Sequence, residues 1–144
     1  MGSSSSKEYY QVKNDFIERL ADKVNGIADL GLTAKLDYLS DDESLVIYSM
    51  PGGNVEQTYM DGARDVSLPF EIAIKTKRQQ LANDTLWVIN DELSDFDIQI
   101  TSENDSYEFG SIDVAKPFLN DQDEQGYYVY MLDVTAHITV QKEN

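Results

Sequence analysis

The feature that most constrains this chain is the run GYYVYMLDVTAHITV, Gly126 to Val140. Read as one strand of about fourteen residues at roughly 3.3 Å each, it spans on the order of 45 Å, where strands average about five or six residues. Its even positions, Tyr128, Tyr130, Leu132, Val134, Ala136, Ile138 and Val140, form an unbroken apolar or aromatic face. That face belongs on a core. The odd positions change character midway, from Tyr127, Val129 and Met131 to Asp133, Thr135, His137 and Thr139. A lone domain rarely leaves Tyr127, Val129 and Met131 wet, so the first half of the strand is expected to pair or pack against a neighbouring subunit, as β-augmentation around a ring would require.

The rest of the pattern supplies the partners of this strand. From Lys7 to Val24 the apolar positions Val12, Phe16, Ile17, Leu20, Ala21 and Val24 follow helical spacing, and Asn25-Gly26 supplies the positive-φ residues that end helices. AKLDYLS and SLVIYSM read as strands of a hairpin turned by DDE. PGGNVEQTYMDG reads as a long loop, and loops of about a dozen residues are often functional. DVSLPFEIAIKT alternates as a half-buried strand, which Pro69 assigns to an edge or a bulge.

TKRQ fits a capping box of Thr76 with Gln79 ahead of a second helix, whose stripe is Ala82, Leu86, Ile89 and Leu93, with Trp87 at the rim. FDIQIT and YEFGSIDV read as short strands, and AKPFLNDQDEQG as a second, acidic loop. The expected fold is α+β: one domain over residues 7–144, mainly antiparallel sheet packed against two helices, after a flexible polar leader over residues 1–6.

With 144 residues one core is expected. The chain has no Cys, which excludes disulfides, thiolate metal sites and a cysteine nucleophile. No apolar run approaches the roughly 18 residues of a membrane span, so no membrane partner is expected. The formal charge is −16, from 11 basic and 27 acidic residues, which argues against a surface that grips nucleic acid. Eleven carboxylates lie between Asp91 and Glu124 against the single Lys116, a stretch read as a solvated face.

Catalytic patterns fare poorly. His137 shares a strand face with Asp133 and Thr135, but no G-x-S-x-G elbow or other nucleophile signature accompanies it. DQDEQG begins like a calcium loop, yet its twelfth position is Leu132 rather than a bidentate Glu. PGGN lacks the Gly-Lys-Ser/Thr ending of a phosphate loop, and pairs such as Asp95 with Asp97 are too common in this composition to mark a site. No enzyme activity, cofactor or metal is expected. Two long loops, surplus tyrosines and an overlong strand suit a protein that makes contacts.

Three stretches carry a resemblance: FIERLADKVNGIADLGL, the span from YSMPGGNVEQTYMDGARD to WVINDELSDF, and GYYVYMLDVTAHITV. Together they resemble the tail terminator proteins of long-tailed bacteriophages of Gram-positive hosts, often labelled minor capsid proteins. The resemblance implies a structural protein of the virion, made in the host cytoplasm and placed at the head–tail junction. It implies a ring of identical subunits, expected to be hexameric, that caps the tail tube, stops its polymerisation and joins it to the head-completion proteins. Implied partners are other copies of the chain, the major tail tube protein and neck proteins, with DNA passing through the lumen without specific binding.

Pro51, Gly52, Gly53, Tyr59, Asp61 and Gly62 match recurrent positions of that family and are candidate interface residues beside Tyr127, Val129 and Met131. In such a ring, lumen carboxylates would repel phosphates and keep DNA from sticking; Asp121, Asp123 and Glu124 are the candidates. Two other readings remain: a different neck or tube component of a virion or secretion tube, and a small hydrolase or ligand-binding domain using His137 and Asp133.

Overall fold

The computed structural model describes residues 14–141. The polar leader and the Lys7–Lys13 part of the first helical pattern lie outside the described residues. Within them the elements run α1 (Phe16–Asn25), β1 (Ala34–Leu36), β2 (Ser44–Ser49), β3 (Asn54–Thr58), β4 (Arg64–Thr76), α2 (Gln79–Leu93), β5 (Glu108–Val114), β6 (Phe118–Gln122) and β7 (Tyr128–Val140). The fold is α+β, as the patterning predicts.

The sheet is organised by its two longest strands. β4 and β7, 13 residues each, pair antiparallel over their whole length, from Arg64 opposite Val140 to Thr76 opposite Tyr128. β2 and β3 then pair with successive halves of β4, and β6 and β5 with successive halves of β7. β1 lies outside β2. The long strand is therefore a spine: its length lets β6 and β5 attach in succession to one edge while β4 takes the other.

Direct partners across these ladders share a face. Tyr130, Leu132, Val134, Ala136 and Ile138 of β7 lie beside Ile72, Ile74 and Phe70 of β4 and Leu45 and Ile47 of β2, and onto this face pack both helices. α1 contributes Phe16, Leu20, Ala21 and Val24, and α2 contributes the predicted stripe of Ala82, Leu86, Ile89 and Leu93. Phe16 is the aromatic hub of this core. Its ring centroid lies 5.3 Å from Phe70, 5.4 Å from Tyr107 and 6.5 Å from Phe109. Among the described residues no helix covers the other face of the sheet.

Several expectations need correction. β1 and β2 pair in parallel, Ala34 beside Leu45, and do not form a hairpin. The Asn25 carboxamide clasps both the N–H and the carbonyl of Ala34, at 2.8 and 3.0 Å, so β1 starts beside the end of α1 and the chain must turn back before β2 begins. Asn25 does this with helical geometry. Gly26 follows at φ −80°, so no left-handed residue ends this helix.

Both presumed loops contain strands, β3 and β6. All five residues of each are exposed, so no apolar alternation announces them; backbone pairing to β4 and β7 holds them. FDIQIT, in contrast, alternates without becoming a strand. Ile100 is buried in the core and its carbonyl accepts from the Tyr107 hydroxyl at 2.6 Å, so packing rather than pairing explains its pattern.

Pro69 sits on an interior strand, not an edge. It falls between the stretch of β4 paired with β2 and that paired with β3, where its carbonyl accepts from the Met50 N–H at 2.9 Å. A strand residue's N–H and C=O point to the same side, so the missing N–H faces this gap and costs no bond to β7. The capping box is also absent. Thr76 accepts from the Arg78 N–H at 3.1 Å and donates to Glu43, while Gln79 donates to the Tyr130 hydroxyl at 3.0 Å.

Candidate assembly surface

The sheet's helix-free side and its two hairpin arms carry every candidate residue. The first arm is β3–β4. It leaves β2 through Met50-Pro51-Gly52-Gly53, with Gly52 at φ +106°, a left-handed conformation that favours glycine. Gly53 is required by a close approach: a Cβ there would stand 2.9 Å from the Ser67 carbonyl oxygen. At the far end, the turn Tyr59–Gly62 is closed by Tyr59 N–H to the Ala63 carbonyl at 2.8 Å and Gly62 N–H to the Tyr59 carbonyl at 2.9 Å. Asp61 accepts from the Ala63 N–H at 2.9 Å, and Gly62 takes φ +90°. The Tyr59 hydroxyl donates to Asp65 at 2.6 Å, and Thr139 of β7 donates to the other oxygen of the same carboxylate at 2.6 Å. These bonds, the Thr139 one first, hold the Asp65 carboxyl below its ordinary pKa.

A clasp ties this arm to the sheet. His137 of β7 places Nδ1 3.0 Å from Glu56 and Nε2 2.7 Å from Asp113 of β5. Glu56 is the unpaired residue of a bulge between Val55 and Gln57. Opposite, β5 bulges at Gly110, where a Cβ would lie 2.7 Å from the His137 carbonyl oxygen. Two bulges thus flank one histidine, turning a carboxylate towards each ring nitrogen. The Glu56 hydrogen bond, then that of Asp113, raises the His137 pKa. Sequence offers no signal for this cluster, since Glu56 and Asp113 lie 81 and 24 positions from His137.

The clasp also separates the pair that a hydrolase would need. His137 spends both ring nitrogens on Glu56 and Asp113, while Asp133 faces Glu71 across the β4–β7 ladder. Thus no His137–Asp133 dyad is assembled. Among the described residues, no group of three or more His, Asp or Glu side chains is placed to hold a metal ion.

The second arm is β6–β7, and its three acidic candidates differ in kind. Asp123 builds the turn: its Oδ1 accepts from Gln125 and Tyr127 N–H groups at 2.9 Å each, and its Oδ2 lies 3.7 Å from Lys75. The Tyr127 bond leads the causes that lower its pKa. Asp121 accepts from its neighbour Gln122 N–H at 2.8 Å, and Glu124 is exposed beyond it.

Tyr127, Val129 and Met131 lie on the helix-free face, partly covered within the chain. Val129 is 7 % exposed, and the ring of Tyr127 lies under Lys75 and Lys77, whose Nζ atoms are 5.0 and 5.1 Å from its centroid. Because β4 and β6 occupy both edges of β7 here, a neighbour has no free edge of this strand to pair with, which corrects the expectation of β-augmentation at this position. The face alone is open.

A protein-family model described as bacteriophage tail terminator protein matches residues 23–140. Among curated proteins no relative matches the chain. The family match covers most of the 144 residues, and the chain belongs to the bacteriophage tail terminator family. It is thereby a structural protein of the phage tail, and a component of the virion. No helix among the described residues is long and apolar enough to cross a membrane.

Proposed function

We propose that this tail terminator protein forms a ring, six-fold by resemblance, that caps the tail tube, ends its polymerisation and joins it to the head through neck proteins. The family match over residues 23–140 carries this reading. What supports it physically is a continuous seven-stranded sheet with two arms whose outward residues lie outside the core: Pro51, Gly52, Gly53, Tyr59, Asp61 and Gly62 on the first, and the acidic tip on the second. The open parts of Tyr127 and Met131 offer a further contact, with Val129 as its floor. The ring's partners are its own copies, the tail tube and the head-completion proteins, and it works at the head–tail junction.

Asp121 and Glu124 are assigned to the lumen wall, where six copies at −16 each repel the phosphates of passing DNA. Asp123 stands beside them mainly as the builder of their turn. Phage lacking the protein should make tails of abnormal, variable length that do not join heads. Uniform tails of normal length joined to heads, seen by negative-stain microscopy, would overturn the reading.

A further inference from the structure

The first arm carries a cleft at its base and an apolar knob at its tip. The cleft, about 420 Å³, lies between α1, the β2–β3 turn and β4, and its apolar lining comes from Ile17, Met50, Pro51, Leu68, Pro69 and Phe70. It exists because Pro69 interrupts the ladder on that edge of β4, leaving the chain to swing out through Pro51–Gly53. Among the described residues no charged side chain lines it. In a chain with 27 acidic residues and a net charge of −16, an uncharged surface is where a second copy of the same chain can approach with least repulsion.

The knob is Met60, whose side chain is fully in water at 106 % relative exposure. The turn that presents it is held by the closing bonds described above, and its carboxylates Asp61 and Asp65 are turned back onto donors of the arm and of β7. A tip already ordered loses little conformational entropy on docking. Methionine, unbranched and polarizable, fits irregular apolar clefts.

We propose that Met60 of one copy seats in the Pro51–Gly53 cleft of the next, making this the subunit-to-subunit joint of the ring; the inference rests on the ring reading above. Knob and cleft stand at opposite ends of one hairpin, about 16 Å apart by the rise of the five steps from Arg64 to Pro69, so Met60 cannot seat in the cleft of its own chain. They are also different surfaces. The contact is heterologous and runs head to tail, which generates a ring when the rotation closes.

The chain's lack of cysteine makes the test clean. A Met50→Cys/Met60→Cys double variant, oxidised at ring-forming concentration alone and with tail tubes, should give a ladder of covalent oligomers up to the ring. Single-cysteine controls should stop at dimers. Met60→Asp, and Met50→Asp from the cleft side, should each keep the wild-type thermal midpoint and weaken ring assembly about tenfold or more by native mass spectrometry. A Met60→Asp ring as abundant as wild type, or rings of the double variant that never cross-link beyond dimers, overturns the joint while leaving the ring reading standing. Failure of the wild-type protein itself to form a ring, alone and on tubes, overturns both.

Discussion

Glu71 of β4 and Asp133 of β7 face each other as direct partners on the helix-free side of the sheet, two carboxyls across adjacent strands. Glu71 is only 7 % exposed, and the Tyr48 hydroxyl from β2 donates to it at 2.6 Å. Burial first, and then the hydrogen bond with Asp133, raise the Glu71 pKa above the ordinary carboxyl value. A group with a raised folded pKa stabilises fully below its unfolded value, about 4.3 for Glu, and the contribution is lost as pH rises through the folded value. Glu71→Gln keeps an acceptor for Tyr48 and removes the repulsion. It should raise stability at pH 7 by up to about 1 kcal/mol, or about 2–4 °C in Tm, with a smaller gain at pH 4. A lower Tm at pH 7 would contradict this account.

The His137 clasp titrates with the same sign in a different window. Its stabilisation is complete below the unfolded histidine value of about 6.5 and is lost as pH rises through the raised folded value. His137→Gln should therefore flatten the stability profile above about pH 6.5. At pH 6 it should cost under about 1 kcal/mol, because Asp113 is 75 % exposed and screened by water. Protection factors of the β3 amides, which divide out the base-catalysed intrinsic rate at each pH, should fall on raising the pH of the wild-type protein and change little in the variant; equal responses would count against the clasp.

Phe16 supports the sheet from α1 through three aromatic neighbours. Phe16→Ala should cost about 3–5 kcal/mol in urea unfolding. A loss below about 1 kcal/mol would mean that this core collapses around the vacancy far more readily than packed cores do.

Gly53→Ala should destabilise by about 1–3 kcal/mol, since a methyl group 2.9 Å from the Ser67 carbonyl oxygen forces the arm's base outwards. Gly26→Ala is the control, its Cβ meeting nothing nearer than 3.4 Å. Equal chemical-denaturation midpoints for the two variants would refute the close-approach argument.

The acidic tip separates structure from electrostatics. Asp123→Ala should loosen the β6–β7 turn, read as faster exchange of the Gln125 and Tyr127 amides that it caps. Asp121→Asn with Glu124→Gln should leave exchange and ring assembly unchanged but slow genome ejection. Ejection kinetics identical to wild type would remove these two carboxylates from the lumen.

What the sequence made legible was what water exclusion writes into it. β7 and the α2 stripe were readable residue by residue because each has one face buried at a fixed period. β3 and β6 were not, because a strand held only by backbone bonds to a longer neighbour has no apolar face to display. The parallel course of β1 depends on Asn25 reaching nine residues ahead, and the clasp on strands brought together from three parts of the chain. The acidic candidates were legible as charges, but the work of Asp123 in its turn depends on backbone geometry that composition does not encode.

The bulges carry a wider consequence. β3, β5 and β6, the outer strands beside β4 and β7, each shift register by one residue, and β1 is only three residues long. An incoming strand would meet mismatched donors and acceptors along every such border, so backbone pairing cannot propagate from copy to copy without end. In the ring proposed above, copies would then join through shaped side-chain contacts, which fix an angle between subunits and are exhausted when the circle closes. A sheet with blunted borders is finite by construction, a fitting property in a family whose name is termination.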